Sequence, residues 1–283
     1  MLVDLVHIIT RDGVRLDGIY QTPVSVPDKR PVEAVVCVHG TGGNFYGSTL
    51  FDALAERLLQ RGCAVLRINT RGHDLMSNAT TTRGGRRLGA AYEVLDDCRH
   101  DLAGWLDWLR QRGTSRVGLI GHSSGAVKCL YAQAHEPDAS VACVVALSPP
   151  RLSYSWFESS DRGVEFRNVY QQAQALQAVG ESESLLDVRI PLPFVITAAG
   201  YVEKYGPDER YNFLRFLDRI TCPVLVTLGE KEIASNMAFR GSAEAIAEVA
   251  PAVAVERIAD ADHFYTGVRE ALLNCVDRWM QGV

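Results

Sequence analysis

Six short runs constrain the fold of this chain most: 34–39, 64–69, 116–120, 142–147, 223–228 and 252–258. They are rich in Val, Ile and Leu and apolar at consecutive positions, the pattern of strands buried on both faces, which parallel sheets produce. Helical stretches separate them, at 50–60, 96–110, 124–135, 242–249 and 268–280. Within 101–109 the apolar residues recur with the spacing of a helix lying on a sheet. Strand and helix alternating in this way predict a doubly wound, mostly parallel α/β sheet. Ahead of it, 3–10 and 14–22 flank Arg11-Asp12-Gly13 and read as an antiparallel hairpin.

One segment breaks the alternation. Between the strand ending near Pro149-Pro150 and the one starting at Pro223 the chain runs far longer than an ordinary connection. We read 1–150 and 221–283 as one core domain and 151–220 as an inserted helical cap, with helices over 164–179 and 208–218 and an apolar stretch at 191–196. The loop 78–88 reads as a polar run whose Arg83, Arg86 and Arg87 either clamp an anionic substrate group or pair with surface acids.

The net charge of −5 and the lack of a basic stripe argue against nucleic acid as a partner. No apolar run reaches bilayer-spanning length, and the first residues lack a signal-peptide pattern, so a cytoplasmic protein without membrane association is expected. The seven cysteines are scattered through apolar segments without C-x-x-C spacing and read as reduced core residues. Asp96, Asp97, His100 and Asp101 could mimic a metal-ligand spacing but read as a solvated helix face. No metal and no cofactor is expected; a homo-oligomer is left open.

Ligands in open α/β sheets sit outside the carboxyl ends of the strands, so the loops there should carry the chemistry. Gly121-His122-Ser123-Ser124-Gly125 lies between a strand and a helix, a G-x-S-x-G turn that would present Ser123 as a nucleophile. After 35–38 comes His39-Gly40-Thr41-Gly42-Gly43-Asn44, read as an oxyanion loop offering the Thr41 backbone N–H, with the Ser124 N–H as second donor. Its competing reading, a phosphate-binding loop, fits neither glycine-rich spacing. Beyond the last strand stands His263, the expected base. Of four nearby carboxylates, Glu230, Glu232, Asp260 and Asp262, Glu232 is the expected triad acid, because it is far enough along its loop to turn back toward the histidine. Gly42, His122, Trp156 and Phe194 are expected to contact substrate.

These pieces, together with Arg71-Gly72-His73, resemble the α/β-hydrolase superfamily over nearly the whole chain. Gly229-to-Glu232 departs from the superfamily's common Gly-x-x-Asp by ending in glutamate, and Arg71-Gly72-His73 continues with Asp74 where a glycine is usual. The resemblance implies a serine hydrolase of small acyl substrates: a carboxylic ester, thioester or lactone. A serine nucleophile argues against the dehalogenase and epoxide hydrolase branches, which attack with a carboxylate. The alternatives are a lyase, acyltransferase or cyclase on the same scaffold, or an inactive binding module.

Overall fold

The computed structural model describes residues 3–283. The elements follow one another as β1 (Asp4–Ile9), β2 (Arg15–Gln21), β3 (Ala34–Val38), α1 (Thr49–Gln60), β4 (Ala64–Ile68), β5 (Ser77–Thr81), β6 (Gly84–Leu88), α2 (Cys98–Arg110), β7 (Val117–His122), α3 (Ser124–His135) and β8 (Val141–Leu147). Then come α4 (Tyr154–Glu158), α5 (Gly163–Ala178), β9 (Leu185–Val188), β10 (Phe194–Thr197) and α6 (Ala198–Tyr205). The chain closes with β11 (Val224–Gly229), α7 (Glu230–Ser235), α8 (Ser242–Val249), β12 (Ala254–Ile258) and α9 (Arg269–Met280).

Eight strands form one sheet in the order β1-β2-β4-β3-β7-β8-β11-β12. β1 pairs antiparallel with β2, and β2 with β4; every pairing from β4 to β12 is parallel. The central strands β3, β4, β7 and β11 are buried at every residue, whereas edge strands β1 and β12 expose several. Burial on both faces removes the selection for alternating polarity, which is why the central runs are continuously apolar. The pleat still divides them. Ala34, Val36 and Val38 of β3 pack into the cluster that contains Trp105 of α2 and Leu130 of α3, while Val35 and Cys37 pack with Leu54 of α1 and Leu272 of α9.

The segment between β8 and β11 carries α4, α5, the antiparallel pair β9–β10 and α6. Its aromatic residues Phe157, Phe166, Tyr201 and Tyr205 join the same hydrophobic cluster as α2 and α3, so this insertion shares the sheet's core on that side.

Three expectations are corrected. The stretch 208–218 is no continuous helix but two 3-10 turns, Phe213–Arg215 and Leu217–Arg219. The Asn212 side chain accepts from the Leu214 N–H and donates to Glu209 at 2.8 Å, starting a new turn in mid-segment. Residues 78–88 are no open loop but fall largely in the β5–β6 hairpin, turned through Gly84 at φ 110°. Asp101 does not face solvent: it is completely buried and bonds to the backbone N–H and guanidinium of Arg71 at 2.8–2.9 Å.

Candidate active site

Ser123 sits between β7 and α3 at φ 57°, ψ −127°, a conformation that costs on the order of 1–3 kcal/mol for a residue with a side chain. The surroundings hold it there. Its N–H donates to Leu147 O at 2.8 Å in the neighbouring strand, and its carbonyl accepts from Ala126 at 3.0 Å as α3 begins. The flanking glycines are sterically required: a Cβ on Gly121 would come within 2.3 Å of Gly125 O, and one on Gly125 within 2.2 Å of Val38 O. Strand, elbow and helix are thereby clamped together, with the Ser123 side chain on a cavity of about 660 Å³.

His263, on the turn after β12, lines the same cavity. Its Nδ1 lies 2.8 Å from Glu232 Oε2. A carboxylate only accepts, so Nδ1 carries the proton and Nε2 is left with its lone pair. Glu232 is 3% exposed and lies in the first turn of α7 instead of on an extended loop. Its Oε1 takes the Gly229 N–H at 2.7 Å and the Ser148 hydroxyl at 2.5 Å. Tyr265 OH stands behind Ser148 at 2.8 Å and Thr227 Oγ1 at 2.7 Å, giving the buried carboxylate an ordered polar backing. Among the described residues no hydrogen bond joins the other three carboxylates to His263. Glu230 and Asp260 are exposed, and Asp262 accepts the Phe264 and Thr266 N–H groups at 3.0 and 2.8 Å.

His122 is the neighbour of Ser123 in chain and of His263 in space, with ring centroids 4.7 Å apart. Its Nε2 donates to the His263 carbonyl at 2.7 Å. Burial, then the proximity of His263, push its pKa down to about 3, so it acts as a neutral donor that fixes the loop carrying His263. Phe239 and Phe264 flank the His263 ring, each with centroids 5.1 Å away.

The loop after β3 closes the site from the other side. A Cβ on Gly40 would approach the Ser123 Cβ to 2.9 Å, so only glycine lets this loop pass Ser123. Gly42 turns it at φ 66°, and the Gly43 N–H returns to Gly40 O at 3.0 Å. Thr41, Gly42, Ser123 and His122 all line the cavity. Ser124 is the first residue of α3, so its N–H has no acceptor in the helix.

Behind the loop lies a charged network that the sequence does not announce. His39 accepts the Thr70 N–H at Nε2 (3.0 Å) and donates from Nδ1 to Gly40 O (2.8 Å). Burial and then Lys128 press its pKa down to about 3. Lys128 Nζ donates to Thr70 Oγ1 at 3.0 Å and lies 2.5 Å from Glu93 Oε1. Lys204, on α6 of the insertion, lies 3.8 Å from Glu93 Oε2. Burial alone would raise the Glu93 carboxyl, but the two lysines outweigh it and hold it below the ordinary range. Gly72 makes room for Glu93: a Cβ there would meet Oε1 at 2.0 Å. The adjacent Arg71 binds Asp12, Asp97 and Asp101, so Arg71-Gly72 is a structural knot beneath the site.

The insertion contributes Leu192, Pro193, Phe194 and Tyr205 to the cavity wall. Phe194 thus lines the cavity that Ser123 also lines. Trp156 does not: it is absent from the wall, its Nε1 bonds to Met237 O at 2.8 Å, and the Arg151 guanidinium lies 4.4 Å from its ring centroid. Arg83, Arg86 and Arg87 are exposed and away from the wall, with Arg87 bonded to Tyr92 OH at 3.1 Å. Among the described residues no group of three or more His, Cys, Asp or Glu is placed to hold a metal ion, and no helix is long and apolar enough to cross a membrane.

A parallel sheet with an antiparallel N-terminal hairpin, a serine elbow after its central strand and a histidine–carboxylate pair beyond its last strands define a hydrolase-type α/β fold. The chain belongs to the Alpha/beta hydrolase family, whose model matches residues 35–273. Similar solved structures span the full length. Est1E from Butyrivibrio proteoclasticus with bound ferulic acid is 19% identical at TM-score 0.68, covering 97% of this chain and 98% of its own. The alpha/beta hydrolase GrgF from Penicillium sp. sh18 is 14% identical at TM-score 0.72, covering 100% and 99%. The Pyrococcus furiosus esterase Pf2001 is 20% identical at TM-score 0.63, covering 99% and 91%. No curated protein sequence matches the chain.

Proposed function

We propose that the protein hydrolyses carboxylic esters of small acyl substrates through an acyl-enzyme on Ser123. The observation that carries this reading is the shared cavity: a strained, glycine-flanked Ser123 and a His263 already oriented by Glu232 open onto the same space. His263 Nε2 takes the Ser123 proton as Oγ adds to the ester carbonyl. Glu232 keeps the ring in the correct tautomer and stabilises the imidazolium. The N–H groups of Thr41 and Ser124 receive the developing oxyanion. His263 then returns the proton to the departing alcohol oxygen, the tetrahedral intermediate collapses to the acyl-enzyme, and water repeats the sequence to release the acid. An alcohol leaving group needs less assistance than an amine, and the Pyrococcus furiosus neighbour above is an esterase by name; both favour an ester. The insertion acts as a cap, with Phe194 and Tyr205 setting the space for the acyl chain.

A fluorophosphonate probe tests this directly. Mass spectrometry should find the adduct on Ser123, and Ser123→Ala should fold normally, take no label and lose turnover of ethyl and p-nitrophenyl esters. An adduct on another residue, or undiminished turnover in Ser123→Ala, would overturn the assignment.

A further inference from the structure

The cavity wall is mixed: Phe194 of the insertion and Leu50 and Phe51 of the core are apolar, whereas Thr49 and Arg269 present polar groups. Among the described residues no Asp or Glu lines the cavity, and His39 and His122 are held neutral. Arg269 is therefore the permanently charged side chain of the wall.

Arg269 is also one of the arginines without a carboxylate partner among the described residues. Arg57, Arg61, Arg67 and Arg71 each have a carboxylate within 4.0 Å. No ion pair among the described residues includes Arg269. Among the described residues its side chain bonds to Thr49 alone, Nη2 to Oγ1 at 2.7 Å, and its Nε is closed off from solvent with no acceptor. Acids close by in the chain or fold are turned elsewhere: Glu270 pairs with Arg57 at 2.9 Å, Asp52 pairs with Arg67, and Asp262 serves backbone N–H groups. A guanidinium has five N–H donors in a planar fork suited to a carboxylate, and Nη1 of Arg269 is open to solvent with no protein acceptor among the described residues. A ligand that brings its own carboxylate supplies the charged acceptor that the wall lacks.

We propose that Arg269 is a specificity-determining residue that receives a carboxylate on the part of the substrate remote from the scissile bond, so that the preferred substrates are half-esters of dicarboxylic acids. The inference rests on the ester-hydrolase reading. Arg269 seats the free carboxylate, the methylene chain runs through the shared cavity to Ser123, and the Arg269 fork distinguishes the anion from a neutral methyl terminus.

The test compares monoethyl adipate, pimelate and suberate with ethyl hexanoate, heptanoate and octanoate. For at least one matched length the wild type should show a kcat/KM at least tenfold higher for the half-ester, carried mainly by KM and weakened by added salt. Arg269→Gln should bring that ratio close to one, and Arg269→Lys should restore it in part. A ratio near one in the wild type at every length, or a ratio unchanged in Arg269→Gln, overturns the proposal; the second outcome leaves Arg269 as a tie between α9 and α1. Binding separates this from the catalytic reading. Calorimetric titration of Ser123→Ala with monoethyl pimelate and ethyl heptanoate should show at least tenfold tighter binding of the half-ester, lost on adding Arg269→Gln, whether or not any ester is turned over. Equal affinities overturn the proposal. Absence of turnover and of Ser123 labelling would instead refute the esterase reading.

Discussion

Replacing Glu93 by glutamine removes the carboxylate that two buried lysines share while keeping the shape of the side chain. Glu93 is 2% exposed, Lys128 is fully buried and Lys204 is 4% exposed, so water cannot solvate the charges left behind. Breaking a buried ion pair by deleting one partner costs about 3–5 kcal/mol. With an unfolding entropy near 2.1 cal/mol/K per residue, a chain of this length has about 0.6 kcal/mol/K at its midpoint, so the loss corresponds to a fall in Tm of about 5–8 °C. Lys204→Met provides the contrast. Lys204 Nζ is 3.8 Å from Glu93 and has no hydrogen-bond partner among the described residues, and burial lowers its pKa. Removing that charge leaves the 2.5 Å Lys128–Glu93 pair intact, and an apolar side chain of similar length should be neutral or slightly stabilising. Both variants are read by differential scanning calorimetry at pH 7. A Tm for Glu93→Gln within about 1 °C of wild type, or a Lys204→Met loss as large as the Glu93→Gln loss, would refute the account of Glu93 as the counter-ion of the network.

Glu232→Gln should retain the fold and lose on the order of a thousandfold in kcat on an ethyl ester, since the amide neither enforces the Nδ1–H tautomer nor stabilises the imidazolium; steady-state kinetics decide, and near-normal turnover would move the role elsewhere. Phe194→Ala should change the acyl-length preference across a p-nitrophenyl ester series, whereas Trp156→Ala, outside the cavity wall, should leave that preference unaltered. Glu203 has its pKa raised to about 7, by burial first, against the opposing pull of Lys204 and Arg210. The folded state thus holds a proton that the unfolded chain has released, so the stability tied to Glu203 is present at low pH and is lost as pH rises through 7. Glu203→Gln should therefore gain in Tm relative to wild type between pH 5 and pH 8; a constant Tm difference would contradict it.

Much of the architecture follows from local sequence. Runs such as Val35-Val36-Cys37-Val38 and Val224-Leu225-Val226 declare doubly buried strands because every side chain there must leave water. Gly121 and Gly125 mark the elbow because no Cβ fits beside Gly125 O or Val38 O. Ser123, Glu232 and His263 could be nominated as residues that follow strands at their carboxyl ends, a position fixed by topology. Where a side chain points depends on partners far away in the chain. Trp156 is an aromatic residue in the insertion exactly as Phe194 is, yet Met237 and Arg151 draw it away from the cavity. The pattern around Asp101 could not reveal that Arg71, thirty positions earlier, turns an apparently solvated face into a buried ion pair. The Lys128–Glu93–Lys204 network joins three distant segments, and the unpaired state of Arg269 is defined by where Glu270, Asp52 and Asp262 turn. Hydrophobic period and glycine sterics are local and readable along the chain; the pairing of charges is a competition among neighbours that exist only once the sheet and its insertion have closed.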